Sequence, residues 1–148
     1  GIPPIRLFSK NFKEKKMDQR DKLIKGIRGE SLGDINIQSS SEEQFQNEVL
    51  RPILKLQNDL CIASFLNYIS KYKRDFYTKT VENKLSIIEN AIQKDIKFRN
   101  ALKGMIIALF TTDEYALYIK NSSSLNKRMM NLLIERLKSQ VQLFDVEN

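Results

Sequence analysis

Apolar residues recur along most of the chain at spacings of three and four, which is the period of an amphipathic helix. The longest such run occupies 42–73. Its apolar positions are Phe45, Val49, Ile53, Leu56, Leu60 and Ala63. From Leu60 to Ile69 the apolar residues extend around most of the helix, which predicts a central helix with several neighbours. Pro52 removes a backbone hydrogen bond inside it, so we predict a kink near 48–52.

A shorter amphipathic pattern occupies 18–28, with Leu23, Ile24 and Ile27 on one predicted helical face. The acidic residues of this segment come early and its last residue is basic, an order that suits the dipole of a helix. The Gly- and Ser-rich stretch over 29–41 predicts a linker between this helix and the central one.

Residues that cap helices mark the starts of the remaining segments. The predicted caps are Thr80, Asp95, the capping box of Thr111 with Glu114, and one of Ser122, Ser123 or Ser124. Asn121 is predicted to end the helix over 113–120 in left-handed geometry. Strand patterns are nearly absent. The sequence therefore predicts an all-α protein, an irregular bundle of five or six helices around a long, Pro-kinked central helix.

The positive charge is concentrated near the N-terminus. The chain has 148 residues and a net charge of +7, and 1–30 carry nine Lys and Arg against four Asp and Glu, a local net charge of +5. We predict a basic leader over 1–16 and a single helical domain over 17–148. Gly1 is interpreted as a cloning remnant, and 2–16 either as an upstream extension or as an authentic flexible arm.

The composition excludes several kinds of chemistry. The chain has no histidine, which excludes His-based acid–base catalysis, Ser-His-Asp triads and His-ligated metals. Its one cysteine, Cys61, excludes an internal disulfide and a Cys-rich metal site, and its apolar surroundings predict an inert core thiol. Glycine-rich phosphate-binding motifs are absent. We therefore expect no cofactor and no metal, and these exclusions favour a protein that is not an enzyme.

No apolar run reaches the roughly 18 residues that span a bilayer. The N-terminal stretch is charged and has no apolar core of a secretory signal. We therefore expect no membrane association and a cytoplasmic location.

Five polar residues near the buried part of the central helix form the first candidate site. They are Asn58, Asp59, Lys94, Asp95 and Arg99. Buried polar groups need partners, and Arg99 or Lys94 is the predicted partner of Asn58 and Asp59. An interhelical hydrogen-bond network and a ligand-binding polar pocket are both compatible with this set.

The stretch that opens the last helix forms the second candidate site. Its members are Ser122, Ser123, Ser124, Lys127 and Arg128. Serines and free backbone N–H groups at a helix N-terminus, followed by Lys and Arg one turn later, are suited to binding a phosphate or a carboxylate. Plain capping of the helix is the alternative interpretation.

Three stretches resemble a small, uncharacterised, all-helical bacterial family whose members sometimes carry the label glyoxalase. They are LRPILKLQNDL (50–60), AIQKDIKFRNALKGMI (91–106) and NSSSLNKRMMN (121–131), and the similarity covers about 18–145. The family has no established activity, so the resemblance implies a helical fold and carries over no functional residues. The label conflicts with the sequence, because the glyoxalases use metal sites with His ligands and this chain has no histidine.

Three functions remain compatible with these observations. The first is a non-enzymatic interaction or oligomerisation module, a homodimer or an adaptor, favoured by apolar residues in excess of one stripe. Such residues include Tyr115, Tyr118 and Phe144. The second is a nucleic-acid-binding protein that uses the basic leader and the Lys and Arg residues of its helix faces. The third is a small-ligand or anion-binding protein with a polar site near Asp59, Arg99 and Ser123.

Overall fold

The structure is a computed structural model that describes residues 18–29 and 41–144. Helices account for 88% of these residues, and the described residues contain no strand. With 41–56 counted as one helix, they form seven helices: α1 (Asp18–Arg28), α2 (41–56), α3 (Asn58–Tyr72), α4 (Val81–Lys94), α5 (Ile96–Ile107), α6 (Thr112–Lys120) and α7 (Ser122–Ser139). Short 3₁₀ turns follow α3 and α7, at Phe76–Thr78 and Val141–Phe144. The all-α prediction is confirmed, and the count of five or six helices is not.

The predicted leader over 1–16 and most of the predicted linker over 29–41 lie outside the described residues. The division into a leader and a single domain over 17–148 therefore stays a prediction.

A π-helical turn over Gln46–Leu50 precedes Pro52, with backbone hydrogen bonds that join residues five apart. The wider turn leaves room for the proline ring, and the helix continues past it. The chain leaves helical geometry later, at Gln57 (φ −87°, ψ 4°), where α2 ends and α3 begins. The prediction of one helix over 42–73 with a kink near 48–52 is therefore not confirmed.

The predicted caps of α4, α5 and α6 are confirmed. Thr80 and Asp95 each accept a hydrogen bond from the backbone N–H three residues later, both at 3.2 Å. Thr111 and Glu114 form the reciprocal bonds of a capping box, at 3.1 and 2.8 Å. These caps satisfy backbone donors that no helical partner reaches, so they fix where each helix begins.

The last helix begins differently from the prediction. Its N-cap is Asn121, which makes no side-chain cap, and the hydroxyl of Ser124 donates to Glu42 instead, at 2.7 Å. The prediction of a serine cap is therefore wrong, because the hydroxyl of Ser124 bonds to a carboxylate of α2 and no side chain caps the start of α7. Asn121 has φ −147° and ψ 42°, so its predicted left-handed geometry is also wrong.

The core is centred on aromatic side chains. Phe65 of α3 is fully buried, and its ring centroid lies 5.7 Å from that of Phe76 and 6.4 Å from that of Phe98. The ring of Phe144, in the last 3₁₀ turn, lies 5.4 Å from Phe65. Tyr118 and Phe144 are only 6% and 1% exposed, so the expectation that they are surplus interface residues is wrong. Their rings instead add large apolar area to the core.

Charged side chains attach α1 to the turn between α5 and α6. Arg20 donates to the carbonyl oxygens of Ala108 at 3.0 Å and Phe110 at 2.9 Å, beyond the end of α5. Asp21 accepts from the backbone N–H of Thr112 at 3.1 Å and from its hydroxyl at 2.6 Å, at the start of α6. A cation thus lies at one helix C-terminus and an anion at the next N-terminus, which is the favourable arrangement for both helix dipoles.

Arg28, at the end of α1, forms a buried ion pair with Glu114. The two guanidinium NH groups donate to the two carboxylate oxygens at 2.5 and 2.9 Å, and the side chains are 5% and 14% exposed. Arg28 also donates to the carbonyl oxygen of Leu109 at 3.1 Å. Because Glu114 also accepts from Thr111 N, one carboxylate both closes the capping box of α6 and holds α1.

We expect Glu114→Gln to lower the free energy of unfolding by about 2–4 kcal/mol, because it leaves the buried guanidinium of Arg28 without its counter-charge. Urea denaturation followed by circular dichroism measures this. The matched control is Glu135→Gln, which removes an exposed carboxylate from α7 and should change the free energy by less than about 0.5 kcal/mol. Equal effects of the two substitutions would contradict the role assigned to Glu114.

Candidate functional site

A cleft of about 620 Å³ lies where α3, α4 and α5 meet. It is lined by the lysines Lys73, Lys94 and Lys97, the apolar side chains of Ile87, Ala91 and Ile96, and the polar side chains of Tyr68, Asn90 and Asp95. Its volume is in the range of sites that bind small molecules or single groups of a larger ligand. The cleft therefore combines apolar walls with several cations.

Asp95 connects this cleft to the core. One carboxylate oxygen caps α5, and the other accepts from the hydroxyl of Tyr68 at 3.2 Å. The ring of Tyr68 lies 4.4 Å from the ring of Phe98 and is 8% exposed. Burial, and then the neighbouring Asp95 carboxylate, raise the pKa of Tyr68, so the phenol stays protonated and keeps donating at neutral pH. Both carboxylate oxygens of Asp95 thus accept hydrogen bonds from the protein, which hold this side chain in place in the wall of the cleft.

The three lysines of the cleft come from three different places in the fold. Lys73 follows α3, Lys94 ends α4 and Lys97 lies in the first turn of α5. No ion pair within 18–29 and 41–144 uses any of them. The nearby carboxylate of Asp75 pairs with Lys79 at 3.0 Å. With Asp95 as its one acidic lining residue, the cleft carries a net positive charge.

The first candidate site from the sequence is not assembled as one pocket. Asn58 and Gln140 form a reciprocal amide pair, with bonds of 2.8 and 2.7 Å, and Arg136 donates to Asn58 at 3.4 Å. Asn58 thus pairs with the end of α7 and not with Arg99 or Lys94. It lies ten residues before Tyr68 on α3, which corresponds to about 15 Å along the helix axis.

Asp59 and Arg99 do not meet each other. The exposed Asp59 accepts a long hydrogen bond, 3.4 Å, from the neighbouring Asn58. Arg99 is half-buried, and no side-chain hydrogen bond or ion pair within the described part of the chain uses it. Of the five predicted residues, Lys94 and Asp95 alone line the cleft. A functional role for the full set stays a prediction.

The second candidate site contains an anion supplied by the chain itself. The carboxylate of Glu42 accepts from the hydroxyl of Ser124 at 2.7 Å and from the side-chain amide of Asn121. Arg128 lies 3.5 Å from the same carboxylate and donates to Gln46 at 2.9 Å. The hydrogen bonds of Ser124 and Asn121, followed by the charge of Arg128, lower the pKa of Glu42. These residues thus fasten α2 to the start of α7.

The other predicted members of that site play no part in this contact. Ser122 is half-buried, whereas Ser123 and Lys127 are exposed. None of the three donates a side-chain hydrogen bond to Glu42 within the described residues. Binding of an external anion at this helix start stays a prediction.

The described residues provide no metal site, because they contain no group of three or more acidic or Cys side chains placed to hold an ion. Cys61 is 1% exposed, and burial raises the pKa of its thiol to about 11. The thiol is therefore protonated at neutral pH and a poor nucleophile. No helix in 18–29 or 41–144 is both long and apolar enough to cross a membrane.

Sequence analysis missed Tyr68, Lys73 and Lys97 as members of one site. For Lys73 the available signal was the stretch over 70–79, SKYKRDFYTK, in which basic and aromatic residues are interleaved. Such interleaving is typical of surfaces that bind nucleic acids. Spacing alone did not show that this stretch returns to the junction of α4 and α5.

We expect the pKa of Glu42 to lie below its usual value of 4.5, because three neighbouring donors stabilise the charged form. A carboxylate whose pKa is lowered by folding stabilises the fold above its unfolded-state pKa, and this contribution disappears as the pH falls through the folded-state value. NMR titration of the Glu42 carboxyl carbon measures the pKa directly. A value at or above 4.5 would contradict the contact with Ser124, Asn121 and Arg128.

The same contact predicts a difference between variants. Between about pH 5 and pH 3 the free energy of unfolding of the wild type should fall more steeply than that of Glu42→Gln, which lacks this titrating group. The Glu135→Gln variant controls for the loss of any one carboxylate and should follow the wild type.

The chain matches no protein-family model, no curated protein and no solved structure. The resemblance to an all-helical bacterial family therefore stays a prediction.

Proposed function

We propose that the protein is a non-enzymatic interaction module that pairs with a second copy of itself through α1. The observation that carries the proposal is the way α1 is attached. Its charged side chains Arg20, Asp21 and Arg28 bind the turn between α5 and α6, while Leu23 and Ile27 are 67% and 58% exposed.

This arrangement reverses the expectation for an amphipathic helix. The sequence placed Leu23, Ile24 and Ile27 on one face, and such a face normally packs on the core. In the structure only Ile24 is half-buried, so most of the apolar surface of α1 faces water. Exposed apolar side chains grouped on one element are typical of a contact surface.

Helical spacing gives this surface a definite composition. Gln19, Leu23, Gly26 and Ile27 fall on one stripe of α1, at positions i, i+4, i+7 and i+8. No charged residue of α1 falls within that stripe, and the space around Gly26 is open, with no heavy atom within 4 Å of an added Cβ. A neutral stripe with a small residue near its centre allows the same stripe of a second copy to approach closely.

The size of the surface sets the expected strength of pairing. α1 has 11 residues, and at a rise of about 1.5 Å per residue it is about 16 Å long. A surface of that length and about 10 Å wide, the width of one helix, covers far less than the roughly 800 Å² that each partner buries in a stable complex. Leu56, on the segment of α2 that α1 contacts, is also 43% exposed. We therefore expect a weak dimer, with a dissociation constant on the order of 100 μM.

Sedimentation velocity from 10 μM to 1 mM tests the proposal. We expect the mean sedimentation coefficient of the wild type to rise with concentration, and that of Leu23→Gln/Ile27→Gln to stay at the monomer value. Glutamine forms helices as well as leucine and better than isoleucine, and it leaves the net charge unchanged, so the variant removes the apolar contact without weakening the helix.

The control variant, Val81→Gln/Leu143→Gln, replaces two apolar residues outside α1 that are 60% and 58% exposed, about as exposed as Leu23 and Ile27. It should associate like the wild type. Raising the salt concentration should not weaken the dimer, because the stripe contains no charges. A wild type that stays monomeric at 1 mM, or a control that loses association equally, would overturn the proposal.

A further inference from the structure

We propose that the cleft between α3, α4 and α5 binds single-stranded nucleic acid, with its lysines on the phosphates and Tyr72 under a base. This goes beyond the proposed self-association, which uses a different element. The proposal rests on the charge of the cleft, on the exposure of the aromatic side chain beside it and on the volume of the cleft.

The charge of the cleft is only partly neutralised by the protein: Asp95 is its one acidic lining residue, and the carboxylate of Asp75, which pairs with Lys79, also attracts Lys73. Lys73 follows α3, whereas Lys94 and Lys97 lie on α4 and α5, and none of the three makes an ion pair within the described residues. The one acidic lining residue, Asp95, already accepts hydrogen bonds from Tyr68 and from the N-terminus of α5. Lys94 and Lys97 in particular are therefore left for a ligand, and phosphate oxygens are suitable acceptors for them.

An aromatic side chain lies beside these cations. Tyr72 is 66% exposed, so most of its ring is accessible to a planar ligand. Its ring centroid lies 5.2 Å from that of Tyr68, which in turn stacks on Phe98. The exposed ring is thus supported from the core and does not need to be ordered on binding. Bases stack on such aromatic platforms with little preference for sequence.

The size of the cleft favours a single strand over a duplex. A volume of about 620 Å³ accommodates a small part of a ligand, such as one or two nucleotides. Lys71 and Arg74 are also exposed and flank the Tyr72–Lys73 pair along the chain. A strand that leaves the cleft therefore meets further cations, as in the basic tracks of proteins that bind single strands. A free nucleotide offers the same base and phosphate but would not use this track.

Fluorescence anisotropy on the chain of 148 residues tests the proposal, with a fluorescein-labelled ten-nucleotide adenosine RNA as the probe. Four competitors test which features of the RNA are needed for binding. They are an abasic oligomer of the same length, adenosine monophosphate, a ten-base-pair duplex and polyglutamate. Every variant keeps 1–16, so any binding by that basic segment is common to all of them.

Lys94→Gln/Lys97→Gln should weaken binding of the RNA by about tenfold and reduce the slope of log affinity against log salt by about 1.4, or roughly 0.7 per lost phosphate contact. The matched control is Lys55→Gln/Lys120→Gln, which removes the same charge from exposed positions on α2 and α6 and should change the affinity less than twofold. Thermal melting confirms that both proteins are folded.

Tyr72→Leu should weaken binding of the RNA at least threefold and leave binding of the abasic oligomer unchanged, because only the bases use the ring. The RNA should also outcompete the monophosphate, the duplex and polyglutamate at equal charge. The proposal would be overturned if the two double-lysine variants lost equal RNA affinity, or if Tyr72→Leu bound the RNA like the wild type. It would also be overturned if polyglutamate or the duplex competed as well as the RNA, or if the RNA did not bind at all. Preferential competition by the monophosphate would identify a nucleotide site and overturn the single-strand assignment.

Discussion

The attachment of α1 at the turn between α5 and α6 is the interaction on which the exposed surface of this protein depends. The turn presents carbonyl groups just beyond the end of one helix and the first N–H groups of the next, and both need partners. Arg20 and Asp21 supply these partners from α1. Since its charged residues bind inward, the helix cannot also bury Leu23 and Ile27. The same contacts that hold α1 therefore leave its apolar stripe in water.

The aromatic core determines the cleft in a comparable way. Tyr68 stacks on Phe98 within the core and donates to Asp95 at the junction of α4 and α5. Asp95 in turn caps α5, so the direction in which α5 leaves the junction is tied to the position of α3. The lysines around the junction are held on this frame, although their own side chains are in contact with solvent. Exposed lysines on rigid helices are well placed to bind an anionic ligand, because the helices hold their backbones in fixed positions.

Local features of the fold could be predicted from the sequence, whereas contacts between distant segments could not. Thr80, Asp95 and Thr111 cap helices through bonds to residues three positions away, so a short pattern identifies them. Glu42 with Ser124, Asn58 with Gln140 and Arg28 with Glu114 are separated by 82, 82 and 86 residues, and nothing in the spacing of these residues indicates their partners. The serine cap failed for this reason, and for the same reason spacing did not show that Asn58 pairs with Gln140.

The buried pair of Arg28 and Glu114 matters more for the position of α1 than for net stability. The cost of removing two charges from water offsets most of the attraction between them, so an intact pair adds little to the free energy of unfolding. Removal of one partner, in contrast, is strongly destabilising, because it leaves the other charge buried alone. Their geometry is nevertheless strict, because both guanidinium NH groups match both carboxylate oxygens. A shift of α1 by one residue turns it by about 100° and would separate this pair and the contacts of Asp21 together. The exposed face of α1 is thereby fixed by the charged side chains on its opposite side.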